Sequence, residues 1–220
     1  MPDSTHWRLP RARQGLSASH RPVLGGVYFI LGFTPITALA LSLTEIVPLY
    51  QSVLWGLLPL TAIGGLIGLY DRALGQVAGT GLLIGLLAVL LYDGTRIPFL
   101  LAGLWADFIP EIATHLVPGM EPNWILGYLW RYLGNGGGMG MAFVVAYVLL
   151  RPGLNVWGLG VGYGVAIWCC LLTTLGLMPA EADPLFPATP LLLVVSFVGH
   201  VVYGLGLAWG LHLFGYAPDQ

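Results

Sequence analysis

Six long apolar runs, at 23–43, 52–70, 77–104, 124–150, 156–178 and 189–214, alternate with short polar or proline- and glycine-rich breaks. Each is close to or above the ~20 residues that a helix rising 1.5 Å per residue needs to cross a ~30 Å hydrocarbon core. Apolar side chains fall on every face of these runs, as expected where the surrounding solvent is lipid. The pattern predicts six transmembrane helices. Thr34-Pro35 is the natural bend in the first, Asp71-Arg72 ends the second, and Arg151-Pro152-Gly153 closes the fourth.

The stretch 105–123 follows another rhythm. Asp107, Glu111 and His115 recur every four residues, while Ile109, Ile112, Ala113 and Leu116 fall on another face. That pattern reads as a short amphipathic helix lying at the membrane interface between spans three and four. No linker divides the apolar blocks. The expected organisation is a polar tail over 1–22, one six-helix domain over 23–214 and a short tail over 215–220.

Composition narrows the class. Hydrophobic residues make up 57% of the 220, charged residues 8%, and mean hydropathy is +0.82. A soluble domain carries about 25% charged residues. The fold class is therefore all-α, a polytopic helical membrane protein. Arg8, Arg11, Arg13 and Arg21 lie in the first tail, and Arg72 and Arg151 fall on the same side of the membrane. The opposite loops carry acids and no arginine. By the positive-inside rule both termini are expected in the cytoplasm, with the chain in the cell membrane. The tail lacks the short apolar core and cleavage site of a signal peptide and reads as retained.

Several partners and chemistries drop out. No basic stripe exists outside the tail, so nucleic acid is not an expected partner. No Walker-type phosphate loop, HExxH zinc motif or GxSxG elbow occurs. Cys169 and Cys170 are adjacent, lack metal-ligand spacing, and read as small packing residues. His200 and His212 lie twelve residues apart on one helix, which turns them about 120° away from each other and disfavours haem ligation. No metal or cofactor is expected.

Charge inside hydrocarbon is costly, so each charged residue there needs a partner or a purpose. Residues 77–92 alone give only about 24 Å of helix. The third helix should therefore continue into Asp93-Gly94-Thr95-Arg96-Ile97-Pro98, bringing Asp93 and Arg96 onto one face. Pro98 cannot donate to the Gly94 carbonyl, so a kink or break is expected beside them. Arg131 lies roughly 10 Å and Asn135 roughly 16 Å down the fourth helix, and His200 roughly 15 Å down the sixth.

Asp93, Arg96, Arg131, Asn135 and His200 are the candidate ligand-binding residues. One acid faces two arginines, a positive excess unless Glu111 or Glu121 dips inward. Arginine pairs bidentately with carboxylate and phosphate, so an anionic ligand such as a lipid head group is expected. Structural roles stand beside this: an Asp93–Arg96 pair pinning a kinked helix, a snorkelling Arg131, and a His200 hydrogen bond between helices.

Glycine supplies 32 residues, many at small-xxx-small spacing: Gly64/Gly68, Gly81/Gly85, Gly136/Gly140, Gly158/Gly162, Gly160/Gly164 and Gly206/Gly210. Such spacing lets membrane helices approach closely. The run Gly134–Gly140 around Asn135 signals either close helix contact or an unwound segment lining a cavity.

Tyr92-Asp93-Gly94-Thr95-Arg96-Ile97-Pro98, Gly134-Asn135-Gly136 and His200-Val201-Val202-Tyr203-Gly204 resemble a family of small polytopic bacterial and archaeal membrane proteins of uncharacterised activity. That family shows Tyr-Asp-x-x-Arg-x-Pro, a later Asn-Gly and a His-x-x-Tyr-Gly. Its histidine before the Asn-Gly is absent here, where Arg131 stands nearby. The resemblance implies the same choice of residues and no reaction.

The leading functional expectation is a non-enzymatic membrane component. It would bind or move a small or lipidic ligand, or serve as a subunit of a larger complex or a homo-oligomer, with membrane lipids as partners. The alternative is an intramembrane enzyme acting on a lipid or isoprenoid. An enzyme needs Asp93, Arg131 and His200 converging on one cavity. A conduit needs a polar path reaching both faces.

Overall fold

Six helices long and apolar enough to cross a membrane follow one another in the computed structural model, which describes residues 20–150, 153–178 and 189–217. They are α1 (Arg21–Leu43), α2 (Leu49–Tyr70), α3 (Arg72–Leu101), α5 (Trp124–Leu150), α6 (Val156–Leu177) and α7 (Pro190–Leu213). A 3-10 turn, Ile109–Glu111, and the short helix α4, Ile112–Leu116, lie between α3 and α5. Among the described residues there is no strand. Most of the polar tail, Arg151, the loop acids Glu181 and Asp183, and residues 218–220 lie outside the described residues.

The even number of spans puts residues 20 and 217 at one end of the bundle, here the near end. The 44–48 and 102–123 connections form the far end. α3 and α5 pack together at the centre. α1 lies on α5, α7 on α3, and α6 on α7, while α2 rests on the flank of α3 and α1. Of an 18-residue apolar stretch of α5, 61% is buried, against 6% for α2, so α2 is almost wholly exposed on the flank of the bundle.

Glycine sets the closest approaches. A side chain at Gly85 would press on the Cα atoms of Gly140 and Gly137, and one at Gly81 on the Cα of Met141. Gly160 abuts Gly204, Gly206 abuts Ala88, and Gly64 and Gly68 abut Tyr28. The pair Gly158/Gly162 meets no neighbouring helix, so its spacing marks no contact here. Cys169 and Cys170 are free and exposed rather than packed inside.

At the near end Arg21 opens α1, two residues before the apolar run begins. Its Nε donates to Asp71 Oδ2 at 2.9 Å. Asp71 is buried and also caps α3, accepting from the Leu74 amide at 3.1 Å. One carboxylate thus offsets the helix start and an arginine together.

α3 runs through Pro98 to Leu101 without breaking. Unwinding would strand further backbone donors where no water competes for them, so one missing hydrogen bond is the smaller loss. The far-end segment is shorter in helix than its four-residue rhythm predicts, and the face of Ile109, Ile112 and Ala113 is the buried one. Ile109 and Ile112 bury against Leu39, Leu49 and Trp130, which makes it a lid on the bundle.

Candidate functional site

The fourth span departs from regular helix where its sequence departs from ordinary apolar filling. From Trp130 to Gly137 the backbone is a π-helix, with hydrogen bonds spanning five residues in place of four. Such widened turns recur at functional sites because they expose carbonyls and displace side chains. Two tyrosines take up carbonyls of this region: Tyr203 Oη donates to Gly136 O at 2.7 Å, and Tyr163 Oη to Met139 O at 2.8 Å. The glycine run therefore does both things its sequence offered. Gly140 makes helix contact with Gly85, and Asn135 and Gly136 line a cavity.

Asp93 is buried, and its partner is on another helix. Arg131 Nε donates to its two carboxylate oxygens at 3.0 and 3.1 Å, and Arg131 Nη2 binds Oδ1 as well. Tyr132 Oη donates to Oδ2 at 2.8 Å. Arg96, three residues along the same helix, approaches Asp93 only to 3.7 Å. Its guanidinium turns instead to the lid, donating from Nη2 to Asp107 Oδ1 at 3.3 Å and to Tyr128 Oη at 3.1 Å. Tyr128 in turn donates to Asp107 Oδ2 at 2.8 Å, and the Ile109 amide to Oδ1 at 3.1 Å. The rings of Trp105 and Phe108 sit 5.8 and 5.7 Å from the Arg96 guanidinium carbon. Burial against aromatic faces compensates part of what the cation loses on leaving water.

These contacts change the charge balance. Two acids face two arginines, because Asp107 and not Glu111 or Glu121 enters. Neither Arg96 nor Arg131 is left without a counter-charge.

No family model, curated protein or solved structure matches this chain. The site therefore stands on its own geometry.

A cavity of about 150 Å³ occupies the far half, between α1, α5, α6 and α7 and under the lid. Its α1 and α6 walls are apolar apart from Thr174, whose hydroxyl is spent on the Cys170 carbonyl at 3.0 Å. The opposite side carries Arg131, Asn135 and His200, with Tyr92 and Tyr203. Tyr92 stacks under the Arg131 guanidinium at 4.8 Å and meets the His200 ring edge-on at 5.1 Å. His200 Nδ1 lies 2.7 Å from the Ser196 carbonyl. Towards the near end, Tyr163 packs between Phe33 and Phe143, its ring 6.0 Å from the first and 4.9 Å from the second, which bridges α1 and α6 below the cavity.

Of the five candidates, Arg131, Asn135 and His200 come together on the cavity. Asp93 stands behind Arg131 and holds it, and Arg96 belongs to the lid network. Among the described residues, no group of three or more His, Cys, Asp or Glu could hold a metal ion. The sequence reading missed Tyr92, Tyr128, Tyr132 and Asp107 as parts of the site. The signal was available: Tyr128 and Tyr132 are four apart around Arg131, and Tyr92 is four before Arg96, so each pair shares a helical face.

Proposed function

We propose that this protein binds an amphipathic ligand within the membrane. The hydrocarbon part lies between α1 and α6, and the polar end reaches Arg131, Asn135 and His200. The observation that carries this reading is a cavity with two apolar walls and three convergent polar side chains. Binding sites for small ligands have that composition, mostly apolar with a few placed polar groups. The arginine asymmetry supports both termini in the cytoplasm of a cell-membrane protein, which would turn the far end outward and give the ligand access from the outer leaflet.

A conduit fits less well, because polar lining gives way to Met139 and Ile167 and then to the aromatic layer of Phe33, Phe143 and Tyr163. Catalysis by Asp93 also fits less well. Its oxygens are taken by Arg131 and Tyr132, and it does not line the cavity. Native mass spectrometry of gently solubilised protein tests the reading. Wild type is expected to retain a bound amphiphile, and Ile167→Trp, which fills the cavity, to emerge empty. Wild type without any retained molecule, or a filled variant that retains it equally, would overturn it.

A further inference from the structure

What the cavity leaves unsatisfied describes the head group it would take. This step rests on the amphiphile site proposed above and specifies its ligand. Charge is the first constraint. Arg131 is neutralised by Asp93 and Arg96 by Asp107. A phosphate or carboxylate entering this space would shed its hydration and meet no uncompensated cation.

Hydrogen bonding is the second constraint. A carbonyl can only accept, so the contact between His200 Nδ1 and Ser196 O places the proton on Nδ1. In the neutral ring, Nε2 is then a lone-pair acceptor. Asn135 Oδ1 is buried and has no hydrogen-bond partner among the described residues. Both residues line the cavity, so each brings one unspent acceptor to its polar side, with Asn135 Oδ1 buried within that wall. A buried polar atom left without a partner costs about 1–3 kcal/mol, so a guest that donates to these atoms is favoured. Ester, ether and ketone oxygens cannot donate. A hydroxyl can, and its oxygen can still accept from a cavity amide or guanidinium.

Size is the third constraint. About 150 Å³ is the volume of a cavity that admits a benzene ring and little more. A glycerophospholipid head is too large as well as charged. We infer that the ligand is an uncharged, hydroxyl-ended amphiphile, an alkylphenol or long-chain alcohol, whose hydroxyl donates to Asn135 Oδ1 or His200 Nε2. Its chain leaves between α1 and α6.

Three probes of matched chain length test this on wild-type protein in nanodiscs, with the unfolding midpoint followed through each titration. They are 4-octylphenol, 4-octylanisole (the same ring and chain with the donor proton replaced by methyl) and octyl phosphate. The phenol is expected to bind at least tenfold more tightly than either of the others. Asn135→Leu and His200→Phe are each expected to shrink the phenol's advantage over the anisole while the anisole still binds. Equal binding of phenol and anisole, or tighter binding of octyl phosphate, overturns the head-group inference and leaves the amphiphile site standing. Failure of all three probes on wild type overturns both.

Discussion

At the midplane and near end, helices meet backbone to backbone, Gly85 on Gly140, Gly81 on Met141 and Gly160 on Gly204, while Gly64 and Gly68 make room for the Tyr28 ring. In the far half α3 and α5 are joined by side chains, with Asp93 bound to Arg131 and Tyr132, and Arg96 to Tyr128 and to Asp107 of the lid. Close glycine packing leaves no room for anything else. The ion pairs join α3 to α5 and to the lid, beside the cavity and not across its α1 and α6 walls. The difference teaches that contact is made by backbone in one half of the bundle and by long side chains in the other, and that the ion pairs act on the cavity by holding Arg131 in one orientation.

Removing the counter-charge is the strongest way to break this contrast. Asp93→Asn leaves Arg131 buried without its counter-charge, a loss of about 3–5 kcal/mol for a broken buried pair. Reversible unfolding in bicelles would measure it. Adding Arg131→Gln should recover part of the loss, whereas adding Arg96→Gln should not, because Arg96 is paired with Asp107. Recovery through Arg96 and not Arg131 would mean the pairing across helices has been assigned wrongly.

Overfilling the glycine belt comes next. Gly85→Ala places a methyl against the Gly140 and Gly137 Cα atoms, at 2.9 and 3.0 Å from ideal geometry, and should cost about 1–3 kcal/mol. Gly162→Ala and Gly79→Ala meet nothing within 4 Å and should change stability by no more than about 0.5 kcal/mol. Equal effects at all three positions would deny the belt its special closeness.

The smallest expected effect sharpens the far end alone. His115 of the lid lies 3.1 Å from Ser42 Oγ through Nδ1, and burial lowers its pKa from 6.5, partly opposed by Glu111. The unfolded chain then holds a proton that the folded lid releases. The lid's stability is complete above pH 6.5 and declines as pH falls through the lowered value. Hydrogen exchange of residues 109–117 across pH 7 to 5 should show faster opening at acid pH, and His115→Gln should flatten the dependence. An unchanged profile in that variant would assign the pH effect elsewhere.

Much of the architecture was legible because lipid removes ambiguity. Long apolar runs can only be spans, and the observed helix 124–150 coincides with the run read from sequence. The buried charges were legible for the same reason. Partner choice was not. Asp93 has Arg96 three residues away on its own helix, yet the bidentate geometry goes to Arg131 on α5, and no local spacing reveals a contact 38 residues distant. Asp107 looked like one of several interfacial acids. Only the burial of Ile109 and Ile112 pulls it down to Arg96. The cavity could not be read from sequence either, because it depends on α1 and α6 being kept apart, which no motif encodes.

Photolabelling tests the central claim, that a hydrocarbon chain enters between α1 and α6 in the far half. A fatty alcohol carrying a diazirine near the middle of its chain would be activated with the protein in nanodiscs, and the modified peptides mapped by mass spectrometry. Labels are expected on Leu39, Leu43, Leu171 and Leu175, which line the cavity, and should disappear with excess 4-octylphenol. Labels spread over exposed outer positions such as Leu66, Leu101 and Leu150, and not competed, would contradict the account.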